Sequence, residues 1–341
     1  MSSAQSPRPL RIGILGCANI ARSFKNGCAP LRSVEIVAVA SRSRDKAEAF
    51  AAELGVARAL GSYEALLADP DIDAVYIPLP NSMHAEWAIR AAEAGKHVLC
   101  EKPLAMNAAE AKAMFGAAGK RGVVLREAYP YMAQPQTAQL RAWLAEGAIG
   151  AVRLIRSTFG VFFDDPANIR LSPTLGGGAL YDAGSYAVSF VRMVAGLRPL
   201  RVQASSYRDR NGVDRTTVAN IEFPGGLLAQ AACSFDTAYH RHASIAGDKG
   251  VIETNYLNHP PMGGPPVLQI RRGIPAQAPF EPAQVPEGNG FELETDSFAR
   301  LVRGEAGAWT GATPEESVDI MLTLDAIRAS ARSGQWENIG S

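Results

Sequence analysis

Short apolar runs recur along the first part of the chain: Arg11–Leu15 (RIGIL), Glu35–Ala40 (EIVAVA), Ala74–Ile77 (AVYI), His97–Cys100 (HVLC) and Val123–Leu125 (VVL). Between them, Asp45–Leu54, Ser62–Ala68, Met83–Ala94 and Asn107–Gly119 carry helical patterning. Asn107 stands at an N-cap position with Glu110 three residues on, as in a capping box. Gly95 falls just past Met83–Ala94, where a C′ glycine belongs. Short, wholly apolar strands alternating with helices predict a parallel sheet covered on both faces.

Beyond about residue 150 the pattern changes to longer alternating segments: Val152–Val161, Leu200–Tyr207, Val218–Phe223, Leu227–Phe235 and Ser244–Ala246. These suit an antiparallel sheet. Ala179–Val194 reads as one helix, and 256–290 as Pro/Gly-rich loops around a strand at Val267–Arg271. Helices near Glu292–Arg303 and Pro314–Arg332 close the chain, and there is no internal repeat. The fold class expected is α/β. A doubly wound parallel sheet over 11–148 follows a polar lead at 1–10, and an α+β domain with a large, mostly antiparallel sheet occupies 149–341. The last helices are free to pack back on the first domain.

A length of 341 residues fits two domains at ~150 residues each. Lys+Arg and Asp+Glu both number 34, so the net charge is zero, which argues against a nucleic-acid binder. No apolar run approaches the ~18 residues of a membrane span. The opening MSSAQSPRPL is polar and unlike a signal peptide. Cysteines at 17, 28, 100 and 233 have no CxxC spacing, and the five histidines do not join them at zinc-ligand intervals. No metal is expected; reduced thiols in a cytoplasmic protein are.

Gly16-Cys17-Ala18-Asn19-Ile20-Ala21 directly follows the first strand. It is a degenerate dinucleotide fingerprint: the glycine permits a tight turn, and the small residues let a pyrophosphate approach backbone and helix. NAD sites usually place a carboxylate after the second strand to hold the ribose 2′-OH. Here the run is Ala40-Ser41-Arg42-Ser43-Arg44, and a guanidinium with two hydroxyls suits a 2′-phosphate. NADP is therefore the expected cofactor, with NAD as the other candidate. The plainer reading is a solvated loop in which Ser43 caps the next helix.

Ligands of open α/β sheets bind outside the carboxyl ends of the strands. Pro78-Leu79-Pro80-Asn81-Ser82-Met83-His84 and Glu101-Lys102-Pro103 both fall there. Lys102 beside a stiff proline could hydrogen-bond a substrate hydroxyl or lower the pKa of a neighbouring acid. His84 reads better as a helix-start residue near the cofactor than as a base.

The stretch IPLPNSMHAEWAIRAAEAGKHVLCEKPLAMNAAEA resembles the Gfo/Idh/MocA oxidoreductase family, and so do GILGCANIA, GGGALYDAG at Gly176–Gly184 and GDKGVIE at Gly247–Glu253. The resemblance spans nearly the whole chain. It implies a Rossmann domain followed by an open-faced sheet domain, with cofactor contacts from Gly16, Cys17, Ala18, Asn19, Ile20, Ser41, Arg42, Pro78, Leu79, Asn81, His84, Glu101 and Lys102. Most members carry Asp-x-x-x-His on the substrate-domain helix; this chain has Asp182-Ala183-Gly184-Ser185-Tyr186. That variant is similar to the branch of glucose–fructose oxidoreductase, dimeric dihydrodiol dehydrogenase and NADP-dependent xylose dehydrogenase. Residues four apart share a helix face, so Asp182 and Tyr186 can address one substrate.

The implied enzyme transfers a hydride between nicotinamide and a hydroxyl or carbonyl carbon of a sugar or polyol. Tyr186 exchanges the proton, Lys102 tunes it, and Asp182 and Tyr129 meet the substrate. Dihydrodiol dehydrogenation, keto- or anhydro-sugar reduction, and a non-catalytic NADP-sensing regulator are the alternatives. A homodimer or homotetramer through the C-terminal sheet is implied as well. Where the branch carries Arg and His after the sixth strand, this chain has Met132 and Gln134. Tyr239-His240-Arg241-His242 is either a substrate contact or an exposed loop or strand end.

Overall fold

A computed structural model describes residues 8–258, 264–275 and 277–340. Six parallel strands form the first sheet: β1 (Leu10–Leu15), β2 (Val34–Ala40), β3 (Arg58–Leu60), β4 (Ala74–Ile77), β5 (His97–Glu101) and β6 (Leu125–Ala128). Their order is β3-β2-β1-β4-β5-β6, which reverses direction between β1 and β4 and opens a crevice at that switch point. Helices α1 (Asn19–Cys28), α2 (Arg44–Leu54), α3 (Tyr63–Leu67), α4 (His84–Glu93), α5 (Ala108–Arg121) and α6 (Pro135–Ala145) accompany it. On one face Ile12, Ile14, Tyr76 and Leu99 pack against Phe24 and Phe50; on the other Val75, Ile77 and Val98 pack against Leu66, Ala88 and Met114.

In this half of the chain the sequence patterning missed α1, α6 and β3. Helix α1 sits directly behind the glycine loop, and Gly27 near its end reads as a breaker. The glycine is there because a Cβ would lie 2.6 Å from the Phe291 Cβ of α8 (Gly290–Val302). Helix α8 thus packs on the parallel sheet beside α1, in one core with Ile12, Tyr76 and Phe298. Asn107 caps α5 by accepting from the Glu110 N–H, while the Glu110 carboxylate reaches Met106 N–H instead of closing the box.

The second sheet has nine strands: β7 (Val152–Phe162), β8 (Arg201–Arg208), β9 (Asp214–Glu222), β10 (Leu228–Ser234), β11 (Asp236–Gly247), β12 (Gly250–Thr254), β13 (Leu268–Arg272), β14 (Glu281–Pro282) and β15 (Glu337–Asn338). Their order is β14-β13-β12-β11-β7-β10-β9-β8-β15, antiparallel throughout except for β7 with β10. Helices α7 (Ser185–Ala195) and α9 (Pro314–Ser333) cover its core side. Val218 and Leu228, 48% and 51% exposed, alternate away from that core. Strand β11 begins well before the expected Ser244 because its first half is polar. The expected single helix at Ala179–Val194 is instead a π-helical turn, Leu180–Gly184, that runs into α7. Most of the expected lead and part of the expected loop fall on residues 1–7 and 259–263, outside the described residues.

Candidate active site

The cofactor end of the crevice is built by β1, β2 and the starts of α1 and α2. Gly16 turns at φ +113°, and a Cβ there would meet the Leu79 Cδ2 at 2.9 Å. Ala18 caps α1 with no side-chain acceptor, and the first turn holds no acidic residue. Ala21 N–H turns back to the Ala18 carbonyl, and the start of the helix ahead of it is open to an anion, as a pyrophosphate requires. At the end of β2, Ser41 is buried and its Oγ accepts from Ser43 N–H, while Arg42 is exposed beside the Tyr63 hydroxyl. Ser43 does cap α2, so that part of the plainer reading holds without occupying Arg42. The residues present fit a dinucleotide.

Lys102 extends from the end of β5 across the crevice. Its Nζ lies 2.7 Å from Asp182 Oδ1 and donates also to the Asp182 carbonyl at 3.0 Å. That carbonyl, within the π turn, also accepts from the Ser185 hydroxyl at 3.2 Å; π turns recur at functional sites. The other carboxylate oxygen, Oδ2, takes Arg170 Nε at 2.7 Å. Burial would raise the Asp182 carboxyl, but Arg170 and Lys102 outweigh it and hold the group well below the usual carboxylate range. Arg170 carried no signal in the sequence; it stands in a single 3-10 turn, Ile169–Leu171, twelve residues before its partner.

Tyr186 is buried on α7, with Lys102 Nζ 4.6 Å from its ring centroid. Its hydroxyl oxygen accepts from Asn258 Nδ2 at 2.8 Å. Burial pushes this phenol up, the Glu101 carboxylate adds to the rise, and Arg241 and the Asn258 hydrogen bond oppose it. The sequence reading expected Lys102 to pull the phenol down. The ammonium is instead engaged by Asp182, and the phenol is shifted up, not down. Tyr186, Lys102 and Asp182 do converge, joined through Lys102.

Other expected contacts are used differently. His84 is 1% exposed, with Nδ1 and Nε2 each 2.8 Å from a carbonyl, those of Pro103 and Leu79. It ties together the two loops that form the crevice and presents no free nitrogen to a ligand. The Glu101 carboxylate turns inward and accepts from the Tyr76 hydroxyl at 2.5 Å. Asn81 donates to the Gly176 carbonyl at 2.8 Å, bridging the two halves of the chain. Tyr129 has no exposed surface and packs edge-on behind Tyr186, so substrate contact does not fit its position. Met132 and Gln134 are buried too, and Gln134 Nε2 donates to the Asn258 carbonyl at 2.5 Å. In the segment left open, Tyr239, His240 and His242 face solvent and Arg241 faces inward. Among the described residues no cluster of three His, Cys, Asp or Glu is arranged to hold a metal, and no helix is long and apolar enough to cross a membrane.

Comparison with known proteins agrees with this architecture. Residues 10–129 match the oxidoreductase family with an NAD-binding Rossmann fold, GFO_IDH_MocA, and 137–253 match the GFO/IDH/MocA C-terminal domain. The chain is 39% identical over 332 residues to D-xylose 1-dehydrogenase (NADP(+)) 2 of Haloferax volcanii, covering 95% of this chain and 98% of the relative. It is 37% identical over 245 residues to trans-1,2-dihydrobenzene-1,2-diol dehydrogenase of Xenopus tropicalis, covering 71% and 74%. The crystal structure of KijD10, a 3-ketoreductase from Actinomadura kijaniata solved with NADP and TDP-benzene, superposes with a TM-score of 0.86. It is 33% identical and covers 95% of this chain and 98% of that one. With both family domains in sequence and relatives matched end to end, the chain belongs to the Gfo/Idh/MocA oxidoreductase family.

Proposed function

We propose that this protein is an NADP-dependent oxidoreductase that passes a hydride between nicotinamide and a hydroxyl or carbonyl carbon of a sugar or polyol. The observation that carries the reading is the convergence of Lys102, Asp182 and Tyr186 outside the carboxyl ends of the parallel strands, across from the Gly16 turn. The nicotinamide cofactor, when bound, supplies the site that gives or receives the hydride. Gly16, Cys17, Ala18, Asn19 and Ile20 hold the pyrophosphate against the start of α1, and Ser41 with Arg42 takes the 2′-phosphate. Asp182, fixed by two cations, accepts hydrogen bonds from substrate hydroxyls and orients the ring.

In the oxidising direction Tyr186 as phenolate takes the hydroxyl proton while the carbon loses its hydride and the C–O bond becomes a carbonyl. In the reducing direction the neutral phenol gives that proton back to the carbonyl oxygen. The likeness to the 3-ketoreductase KijD10 supports reduction of a keto-sugar as the second reading. The dinucleotide unit spans 11–148 and the substrate unit 149–341. Two or more copies pair through the sheet face that exposes Val218 and Leu228. The four free thiols suit a reducing cytoplasm.

The test is NADPH formation with a panel of aldoses and dihydrodiols, and NADPH consumption with keto-sugars. Turnover of one of these, with NADP(H) used better than NAD(H), is expected. No turnover of any of them by protein that binds NADPH points to the non-catalytic sensor.

A further inference from the structure

Arg241 is 7% exposed, and among the described residues its Nε and Nη2 have no hydrogen-bond partner. Its guanidinium carbon lies 4.3 Å from the ring centroid of Tyr186 and 4.4 Å from that of Tyr256, with Phe159 at 4.9 Å and Tyr131 at 5.5 Å. Aromatic faces partly replace the lost water. A buried cation is costly to keep, so the partners it holds are informative; the Tyr256 hydroxyl is one of them. A second bond runs from Nη1 to Asn258 Oδ1 at 3.3 Å, and Asn258 Nδ2 donates to the Tyr186 hydroxyl oxygen at 2.8 Å. A cation on the amide oxygen polarises the amide and strengthens its N–H as a donor.

Both members are fixed in place. Arg241 lies opposite Phe159 in the β11–β7 pairing, between outward-facing His240 and His242. The Asn258 carbonyl takes Gln134 Nε2 at 2.5 Å and Gly290 N–H at 3.0 Å.

We propose that Arg241, acting through Asn258, is the positioning residue for Tyr186: the relay fixes where the phenol O–H points and steadies the phenolate when it forms. This rests on Tyr186 being the proton-exchanging group. The groups facing Tyr186 divide accordingly. Asp182 is matched by Lys102 and Arg170, and Glu101 holds the Tyr76 hydroxyl. Tyr129 and Tyr131 pack against the ring as buried phenols. Arg241 is left as the cation whose hydrogen bonding leads to the Tyr186 oxygen. Lys102 lies over the ring, not on the hydroxyl, and directs two of its three donors to Asp182.

The test follows sugar oxidation by NADP⁺ across pH in wild type, Arg241→Met, Arg241→Lys and Asn258→Ala, with NADPH affinity read separately by fluorescence titration. Arg241→Met and Asn258→Ala should displace the rising limb of kcat/KM by about one unit or more toward higher pH. Arg241→Lys should recover part of that shift, and NADPH affinity should not change. Added to Tyr186→Phe, Arg241→Met should cost nothing further, since both act on one proton. Asn258→Ala keeps the test decisive if Arg241→Met does not fold, because it cuts the relay and leaves the cation in its cage. A limb that stays at its wild-type position in folded Asn258→Ala, with Tyr186→Phe slow, overturns the relay alone. Wild-type turnover by Tyr186→Phe overturns the relay and the proton assignment together.

Discussion

Lys102 and Asp182 are bound to each other twice, ammonium to carboxylate at 2.7 Å and ammonium to backbone carbonyl at 3.0 Å. Lys102 therefore acts first on Asp182 and only then on Tyr186. Lys102→Met leaves Asp182 with Arg170 as its remaining cation. Breaking a pair whose side chains are 10% and 19% exposed should cost about 3 kcal/mol of stability. Turnover should fall roughly a hundredfold as the substrate loses its fixed anchor. The oxidation limb should move less than in Arg241→Met. Thermal melts and paired pH profiles check this.

Asp182 also sets an acid limit. Its folded pKa is depressed, so its stabilisation is fully present above the unfolded value of about 4, begins to fall below it and is lost as pH drops through the folded value. Arg170→Met should remove part of that stabilisation at neutral pH and make acid unfolding less steep. Chemical denaturation at about pH 7 and about pH 3 measures the difference.

Glu127 works in the opposite direction. It is fully buried, Leu104 N–H donates to one oxygen at 2.9 Å, and burial pushes the carboxyl up to about 7. A raised folded pKa gives stability that is complete below the unfolded value of about 4.3 and is lost as pH rises through 7. The loss is on the order of 3 kcal/mol. Glu127→Gln keeps the acceptor for Leu104 and removes the titration. Its melting temperature should change little between about pH 5 and about pH 8, while that of the wild type drops.

Much of this arrangement was legible in the sequence. The Rossmann strands are short, uniform apolar runs because both sheet faces are covered, and their ends placed Gly16 and Lys102 at one crevice. The family resemblance together with a four-residue spacing singled out Asp182 and Tyr186, although Asp182 stands in the π turn and Tyr186 on α7. Other features were not legible. Arg170 lies in a one-turn 3-10 helix and Asn258 in a loop, neither long enough to carry a period, and only the folded chain brings them to Asp182 and Tyr186. Arg241 could have been read: one cation between two outward histidines on an alternating strand points to the core. Glu101 and His84 stand where ligand contacts are expected, but both side chains satisfy buried partners.

In the proposed site Arg42 decides the cofactor. Arg42→Asp replaces a phosphate donor with a ribose acceptor, so NADP(H) binding should weaken by ~1.5–3 kcal/mol, about tenfold to a hundredfold, and NAD(H) should gain in relative use. Fluorescence titration with NADPH and NADH reads both changes. A wild type that already prefers NADH contradicts the assignment.

The central claim is that Tyr186 exchanges the proton. Tyr186→Phe keeps the ring among Tyr129, Tyr131 and Phe159 and removes only the hydroxyl that Asn258 meets. Steady-state turnover on the best substrate of the panel, measured beside NADPH affinity, is the most direct test. A fall in kcat of roughly 10²–10⁴ with unchanged NADPH affinity is the predicted result. A folded Tyr186→Phe protein that turns over at the wild-type rate contradicts it.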